Sequence, residues 1–318
     1  MRRLIAGVVL IFACSLGVAA QASKPSAASK PSPAVQSTAA EPVTEATVNS
    51  FLKHMFGYDA SISWDVLDIG PSRAAGVTEV IVLLKNPQGQ QNVRLYVTQD
   101  GKHAVVGDLM PFGADPFAPA RAEIAARANG PARGPANAAV TIVEFSDLEC
   151  PSCKAAQATI DRLLAEEPDV RFIFQNFPLR AHPWAFLGAA YVDCIGRQNT
   201  PAVWKFIEAV YANQEQITAM LPQSATSIED AMKQAFPAIS KKLQELAASA
   251  GANPQKVSAC AAEPATAERI RKSIELGEGL DVTGTPTLFV NGRRIQNVNG
   301  LPYEVLKSMV DAAKTAGK

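Results

Sequence analysis

From residue 44 to 56 the large apolar side chains fall at Val48, Phe51, Leu52 and Met55. That three-and-four spacing puts them on one face of a helix, and Gly57 is placed to stop it. The period then changes. Runs at 61–69, 77–84 and 93–97 predict three strands, the last two joined by the turn-rich Asn86-Pro87-Gln88-Gly89. Gln99-Asp100-Gly101-Lys102 predicts a second hairpin turn leading into a strand over 103–109. Residues 43–112 therefore read as a small α+β domain. Between 113 and 136 Pro and Gly flank a short Ala-rich helical piece at 119–128, the pattern of an interdomain linker.

Beyond it, in residues 137–318, Val140-Thr141-Ile142-Val143-Glu144-Phe145 has the apolar character of a buried strand and runs into a loop carrying Cys150-Pro151-Ser152-Cys153. A helix over 153–167 follows, with Ile160, Leu163 and Leu164 on one face, and then a strand over 170–177. Residues 183–280 are helical by pattern and Ala content. The chain closes with a strand at 287–290, a turn at Asn291-Gly292, a strand over 293–298 and a helix from Pro302. A parallel first unit and an antiparallel end predict a mixed sheet in an α/β domain.

The first residues bear on compartment. Arg2 and Arg3 precede an apolar run from Leu4 to Ala13, and Ala20-Gln21-Ala22 offers a cleavage site before Ser23. The run is shorter than the roughly 20 residues a membrane span needs. Residues 1–22 are thus expected to be a cleaved signal peptide, and the chain to be periplasmic or secreted. The rival reading is a lipoprotein modified at Cys14, against which Phe12 stands where such signals want a small residue. Residues 23–42, mostly Ser, Ala, Pro and Lys, can bury almost nothing and predict a disordered tether. The whole chain carries 30 basic and 30 acidic side chains, and removing Arg2 and Arg3 leaves 28 against 30. With no dense basic cluster, that balance argues against a nucleic-acid partner.

Of five cysteines, Cys14 falls in the signal segment, leaving Cys150, Cys153, Cys194 and Cys260, an even number that in an oxidising compartment points to two disulfides. The first pair sits where a strand gives way to a helix. There Cys150 lies at the helix N-terminus, whose free N–H groups and dipole stabilise a thiolate, and Cys153 lies one turn in. Cys150 reads as the nucleophile and Cys153 as the resolving thiol. A CxxC can also be half of a zinc site or an inert bridge, but zinc needs a second close ligand pair. Cys194 and Cys260 are 66 positions apart, and His54, His103 and His182 are scattered. A copper carrier would call for further soft ligands, and a peptide-binding or chaperone module would have no need of the pair. No cofactor or metal is expected.

Glu144-Phe145, the Cys150-Pro151-Ser152-Cys153 motif and the distant Gly284-Thr285-Pro286-Thr287 together resemble the thioredoxin superfamily and, more narrowly, its DsbA-like thiol-disulfide oxidoreductases. The likeness covers about residues 137–315. It implies a thioredoxin-like fold in which a helical insertion fills the roughly 100 residues between Phe177 and Gly284. It also implies that Pro286 is a cis-proline facing the redox pair, that Thr285 offers its backbone to an extended substrate, and that Glu144 is a buried acid relaying protons to and from Cys153. Read alone, strand alternation leaves open that Glu144 turns outward. Cys194 and Cys260 resemble a structural disulfide of the helical region in some relatives. The Pro151-Ser152 dipeptide departs from the Pro-His of the family's strongest oxidants, so without a cationic neighbour a less oxidising pair is expected. The implied partners are cysteine-containing proteins and a redox protein that resets the pair.

The helix, the strands and the stretch Leu95-Tyr96-Val97-Thr98-Gln99-Asp100-Gly101-Lys102-His103 are similar to the N-terminal dimerisation domain of DsbC and DsbG. That resemblance implies a homodimer and leans toward isomerases or reductases, whereas the helical insertion leans toward oxidases. The competing reading is an appendage that never dimerises.

Overall fold

Thr44 opens the first helix by accepting the Thr47 N–H on its hydroxyl, while the Thr47 hydroxyl accepts the Thr44 N–H in return. The computed structural model describes residues 42–87, 89–107, 109–198 and 200–316. The expected signal segment 1–22, Cys14 within it, and residues 23–41 of the expected tether lie outside the described residues. The chain divides into two compact units, the first ending at Gly107.

In the first unit, α1 (Glu45–Phe56) accompanies a four-stranded antiparallel sheet of β1 (Ser63–Pro71), β2 (Val77–Asn86), β3 (Gly89–Thr98) and β4 (Ala104–Val106), ordered β1-β2-β3-β4. Val48 and Leu52 from the helix close over Val80, Val82 and Leu95 from the sheet, as strand alternation requires of a sheet with one covered face. Two boundaries differ from the sequence reading. The β2–β3 hairpin pairs out to Asn86 opposite Gly89, so β3 begins at Gly89 rather than near 93, in a polar stretch that no hydrophobic pattern marks. The last strand covers three residues, not 103–109, because pairing with β3 stops at Val106.

In the second unit, α2 (Ala118–Arg127) and β5 (Ala132–Arg133) lead into β6 (Thr141–Ser146), α3 (Pro151–Glu166) and β7 (Arg171–Asn176). Six helices follow: α4 (Ala185–Gln198), α5 (Thr200–Ala212), α6 (Gln214–Thr218), α7 (Ile228–Ser249), α8 (Pro254–Ala261) and α9 (Pro264–Gly279). The chain ends with β8 (Thr287–Val290), β9 (Arg293–Ile295) and α10 (Tyr303–Ala316). The sheet order is β5-β7-β6-β8-β9, with β6 and β7 parallel and every other pairing antiparallel. This is a thioredoxin-like α/β sheet with a helical insertion between β7 and β8. Asn291 and Gly292 both take positive φ (45° and 83°) in the β8–β9 turn, the backbone a two-residue hairpin turn requires and Gly and Asn adopt most readily.

Residues 113–136, expected to be a linker, are part of this unit. Ile124 of α2 is buried with Val143, Phe145 and Ile173, and β5 pairs with β7. The buried Gln175 side chain of β7 locks the segment in place: its Oε1 accepts the N–H groups of Asn129 (3.1 Å) and Gly130 (3.0 Å), and its Nε2 donates to Asn129 Oδ1 and Ser273 Oγ. A two-residue edge strand and a helix with one large apolar contact leave too little pattern to be read as part of a core. Among the described residues no helix is long and apolar enough to cross a membrane.

Candidate active site

β6 is the middle strand of its sheet and is buried on both faces, so alternation does not turn any of its residues toward solvent. Glu144 is consequently 0% exposed. The chain leaves β6 through Asp147-Leu148-Glu149 and enters α3 with Cys150 as the N-cap and Pro151 in the first turn, a position that suits proline because the missing N–H would be unpaired there anyway. Cys153 follows one turn inside. Because β8 runs antiparallel to β6 with Thr287 opposite Phe145, the loop before β8 arrives beside the end of β6. That register brings Thr285 to the redox pair: Cys150 Sγ donates to Thr285 O at 3.4 Å, and the Thr285–Pro286 bond is cis. Asn299 Nδ2 reaches Ser152 O at 2.9 Å, from the segment between β9 and α10.

Cys150 and Cys153 are both free thiols, 5% and 0% exposed. Their surroundings pull them apart chemically. A hydrogen bond from the Cys153 thiol brings Cys150 down to about 6 against the opposing effect of burial, with the Thr285 side chain and the Cys153 and Ser152 backbone N–H groups adding to it. Burial drives Cys153 well above the ordinary thiol range, and its hydrogen bond to Cys150 pushes it further. The outer sulfur is therefore poised as the thiolate and the inner one as the thiol.

Beneath them lies a polar network. Burial pushes Glu144 up to about 7, opposed by the hydrogen bonds that Ser146 Oγ (2.8 Å) and Gln157 Nε2 (3.4 Å) donate to its Oε1. Its Oε2 is buried and has no hydrogen-bond partner among the described residues. Ser146 Oγ also pairs with Tyr211 OH at 3.0 Å, and Gln214 Nε2 holds the carbonyls of Leu148 (2.8 Å) and Cys150 (3.1 Å). Gln157 Nε2 links Glu144 to Cys153, donating to Glu144 Oε1 and to the Cys153 carbonyl (3.3 Å), and the negative charge of Glu144 adds to the rise of Cys153. A carboxyl group that gains and loses a proton near pH 7 beside a thiol that resists ionisation can hand that thiol its proton.

Of the residues singled out in the sequence, Cys150, Cys153, Glu144, Thr285 and Pro286 lie together here. Cys194 and Cys260 lie elsewhere, in α4 and α8, joined by a disulfide with Cα atoms 5.9 Å apart. The bond removes both as ligands for a zinc site shared with the CxxC. Sequence reading missed Ser146, Gln157, Tyr211 and Gln214, which approach from 2 to 66 positions away in the chain. It also treated His182 as one of three scattered histidines, whereas His182 Nδ1 lies 2.7 Å from Asp147 Oδ2 in the loop before Cys150.

The chain is 29% identical over 185 residues to Na(+)/H(+) antiporter NhaA 3 of Salinispora tropica, covering 57% of this chain and 25% of that protein. It thus spans about a quarter of the length of the antiporters it matches. It is 26% identical over 182 residues to the probable disulfide bond formation protein D of Bacillus anthracis, covering 56% of this chain and 75% of that one. Among solved structures it is similar to BdbD from Bacillus subtilis, with a TM-score of 0.47 and 23% identity over 59% of this chain and 94% of that one. The thiol-disulfide exchange protein alpha-DsbA2 of Wolbachia pipientis gives 0.47 and 17% over 63% and 99%. Residues 127–312 match the thioredoxin family as a continuous stretch that takes in the whole sheet from β5 to β9, the helical insertion and the Cys150–Cys153 site, and the chain belongs to that family.

Proposed function

We propose that this protein is an exported thiol-disulfide oxidoreductase that forms, reduces or isomerises disulfides in cysteine-containing proteins through Cys150 and Cys153. The observation that carries the reading is the opposed environment of the two sulfurs: Cys150 at a helix N-terminus against Thr285 O, Cys153 buried above Glu144. In the oxidising direction a substrate thiolate attacks Sγ of Cys150 in the Cys150–Cys153 disulfide, and Cys153 leaves and takes a proton, for which Glu144 is the donor. A second substrate thiolate then attacks the substrate sulfur of the mixed disulfide. Cys150 departs as a thiolate, and two electrons have passed from the substrate dithiol to the protein. Reduction runs the same steps backward, and a separate redox protein resets the pair. Thr285, with its carbonyl beside Cys150, and Pro286 next to it form the edge along which an extended substrate lies.

The test is to trap the intermediate. Cys153→Ser leaves a mixed disulfide unresolved, so incubation with disulfide-bonded insulin or scrambled ribonuclease, whose disulfides the Cys150 thiolate attacks with release of a substrate thiolate, should yield a covalent adduct that peptide mapping places on Cys150. Cys150→Ser should yield none. Equal adduct formation by the two variants, or none by either, overturns the reading, and a double Cys→Ser variant that still suppresses aggregation would favour a peptide-binding chaperone.

A further inference from the structure

The loop between β6 and Cys150 carries two buried acids that the exchange steps leave unused. Asp147 accepts the Glu149 N–H on Oδ1 (2.8 Å), and on Oδ2 it accepts the Leu179 N–H (2.9 Å) and the Nδ1 of His182 (2.7 Å). Its backbone carbonyl accepts the Cys150 N–H (3.1 Å) and the Tyr211 hydroxyl (3.4 Å). Glu149 Oε2 accepts the Trp184 N–H at 2.7 Å. The two acids therefore fasten the segment from Leu179 to Trp184 onto the residues that immediately precede the nucleophile, and of its two basic side chains Arg180 is exposed while His182 is hydrogen-bonded to Asp147 of the loop. Its Asp147 partner is fully buried while the imidazole keeps 23% of its side-chain surface, so the ring stands at the border between the loop and solvent.

We propose that His182, held on Asp147, is a positioning residue for exchange at Cys150: its imidazolium is the cationic neighbour that the Pro151-Ser152 dipeptide does not supply. The inference rests on the reading of Cys150 as the nucleophile. The groups facing His182 are Asp147, Glu149 and Cys150, and all three favour its charged form; the hydrogen bond to Asp147 is the largest influence, opposed by partial burial. Asp147 holds His182 on its carboxylate (2.7 Å) and the Cys150 N–H on its carbonyl (3.1 Å), which brings the imidazole to the loop that carries the nucleophile, and any effect of the thiolate on His182 is matched by an equal effect of the imidazolium on the thiolate. The charge is present when it is needed: Cys150 ionises near 6, and His182 titrates above its ordinary 6.5. Nδ1–H donation to Asp147 survives deprotonation of the ring, so the geometry of the loop does not depend on the charge, and only the electrostatic support of the thiolate is lost as pH rises.

Reciprocity supplies a test on the unaltered protein. His182 is titrated by NMR in the reduced and the oxidised state, with its signal assigned by comparison with His182→Gln. Oxidation removes the thiolate, so the pKa of His182 should fall by about half a unit, the size expected for a neighbouring charge at a partly solvated site. Identical values in the two states overturn the proposal. In parallel, the Cys150 thiolate is followed by absorbance at 240 nm. His182→Gln, a neutral donor to Asp147, should raise the Cys150 pKa by a similar amount, and His182→Lys, a charged donor, should restore it. If both variants shift alike, the role is structural and the proposal fails. A pair that never exchanges with substrate thiols would sink the proposed function and leave this coupling measurable, so the two failures are distinguishable.

Discussion

Replacing Glu144 with Gln converts a buried acid into a neutral amide of the same shape, and the consequence for stability can be worked through. The folded carboxyl keeps its proton up to about pH 7 because burial opposes ionisation, whereas the unfolded chain releases it near 4.5. Between those values the folded state binds more protons, so stability falls as pH rises. The contribution of Glu144 is fully present below about pH 4.5 and lost above about pH 7. A difference of roughly 2.5 units at 1.36 kcal/mol each amounts to about 3 kcal/mol. Since Glu144 is fully buried, no discount for solvent screening applies. Glu144→Gln lacks this pH dependence, so relative to the parent it should gain about 3 kcal/mol between pH 4 and pH 8. The assay is urea unfolding of the reduced protein at both pH values, followed by the fluorescence of Trp184 and Trp204 with Trp64 replaced by Phe to silence the first unit. Glu149 and Cys150 titrate in both proteins and cancel in the difference. A difference that stays constant within about 0.5 kcal/mol, the usual limit of additivity, or one that moves toward the parent at high pH, would refute the buried-acid account.

Three further outcomes are expected. Iodoacetamide should alkylate Cys150 with a rate that inflects near pH 6 while Cys153 stays unmodified in the folded protein, and an inflection above pH 8 would remove the thiolate from the scheme. Replacing both Cys194 and Cys260 with Ala opens a loop spanning 66 positions and should cost about 4 kcal/mol by the loop-closure argument. Urea unfolding of the variant measures this, and a loss below about 1 kcal/mol would contradict it. Gly130→Ala would put a Cβ 1.9 Å from the Phe174 carbonyl oxygen, so β5 must shift; a loss of about 2 kcal/mol or more is expected, read from the same unfolding curves, and an unchanged midpoint would be evidence against the tight seating of this edge.

What could be read in the sequence and what could not follow a physical division. Cys150, Cys153 and Glu144 sit within ten residues on one strand, loop and helix, so local pattern places them together. Thr285 and Pro286 lie over 130 positions away and could be joined to them only through a resemblance. Ser146, Tyr211 and Gln214 are ordinary polar residues whose meaning comes from pairing across 64 to 66 positions, geometry set by the helical insertion. His182 looked isolated because its partner Asp147 is 35 residues upstream. The β5 edge escaped notice because two residues are too few to show a period, and Glu144 was ambiguous because alternation presumes a sheet with one wet face, whereas β6 has none.

The central claim is that Cys150 and Cys153 form an exchange-active pair, and its most direct test is their reduction potential. The protein is equilibrated in glutathione buffers of graded ratio, and the alkylated thiols are counted by mass spectrometry. The account predicts a value of about −120 to −200 mV, in the range of proteins that donate or shuffle disulfides. A value below about −300 mV would mark a stable structural bridge and contradict it.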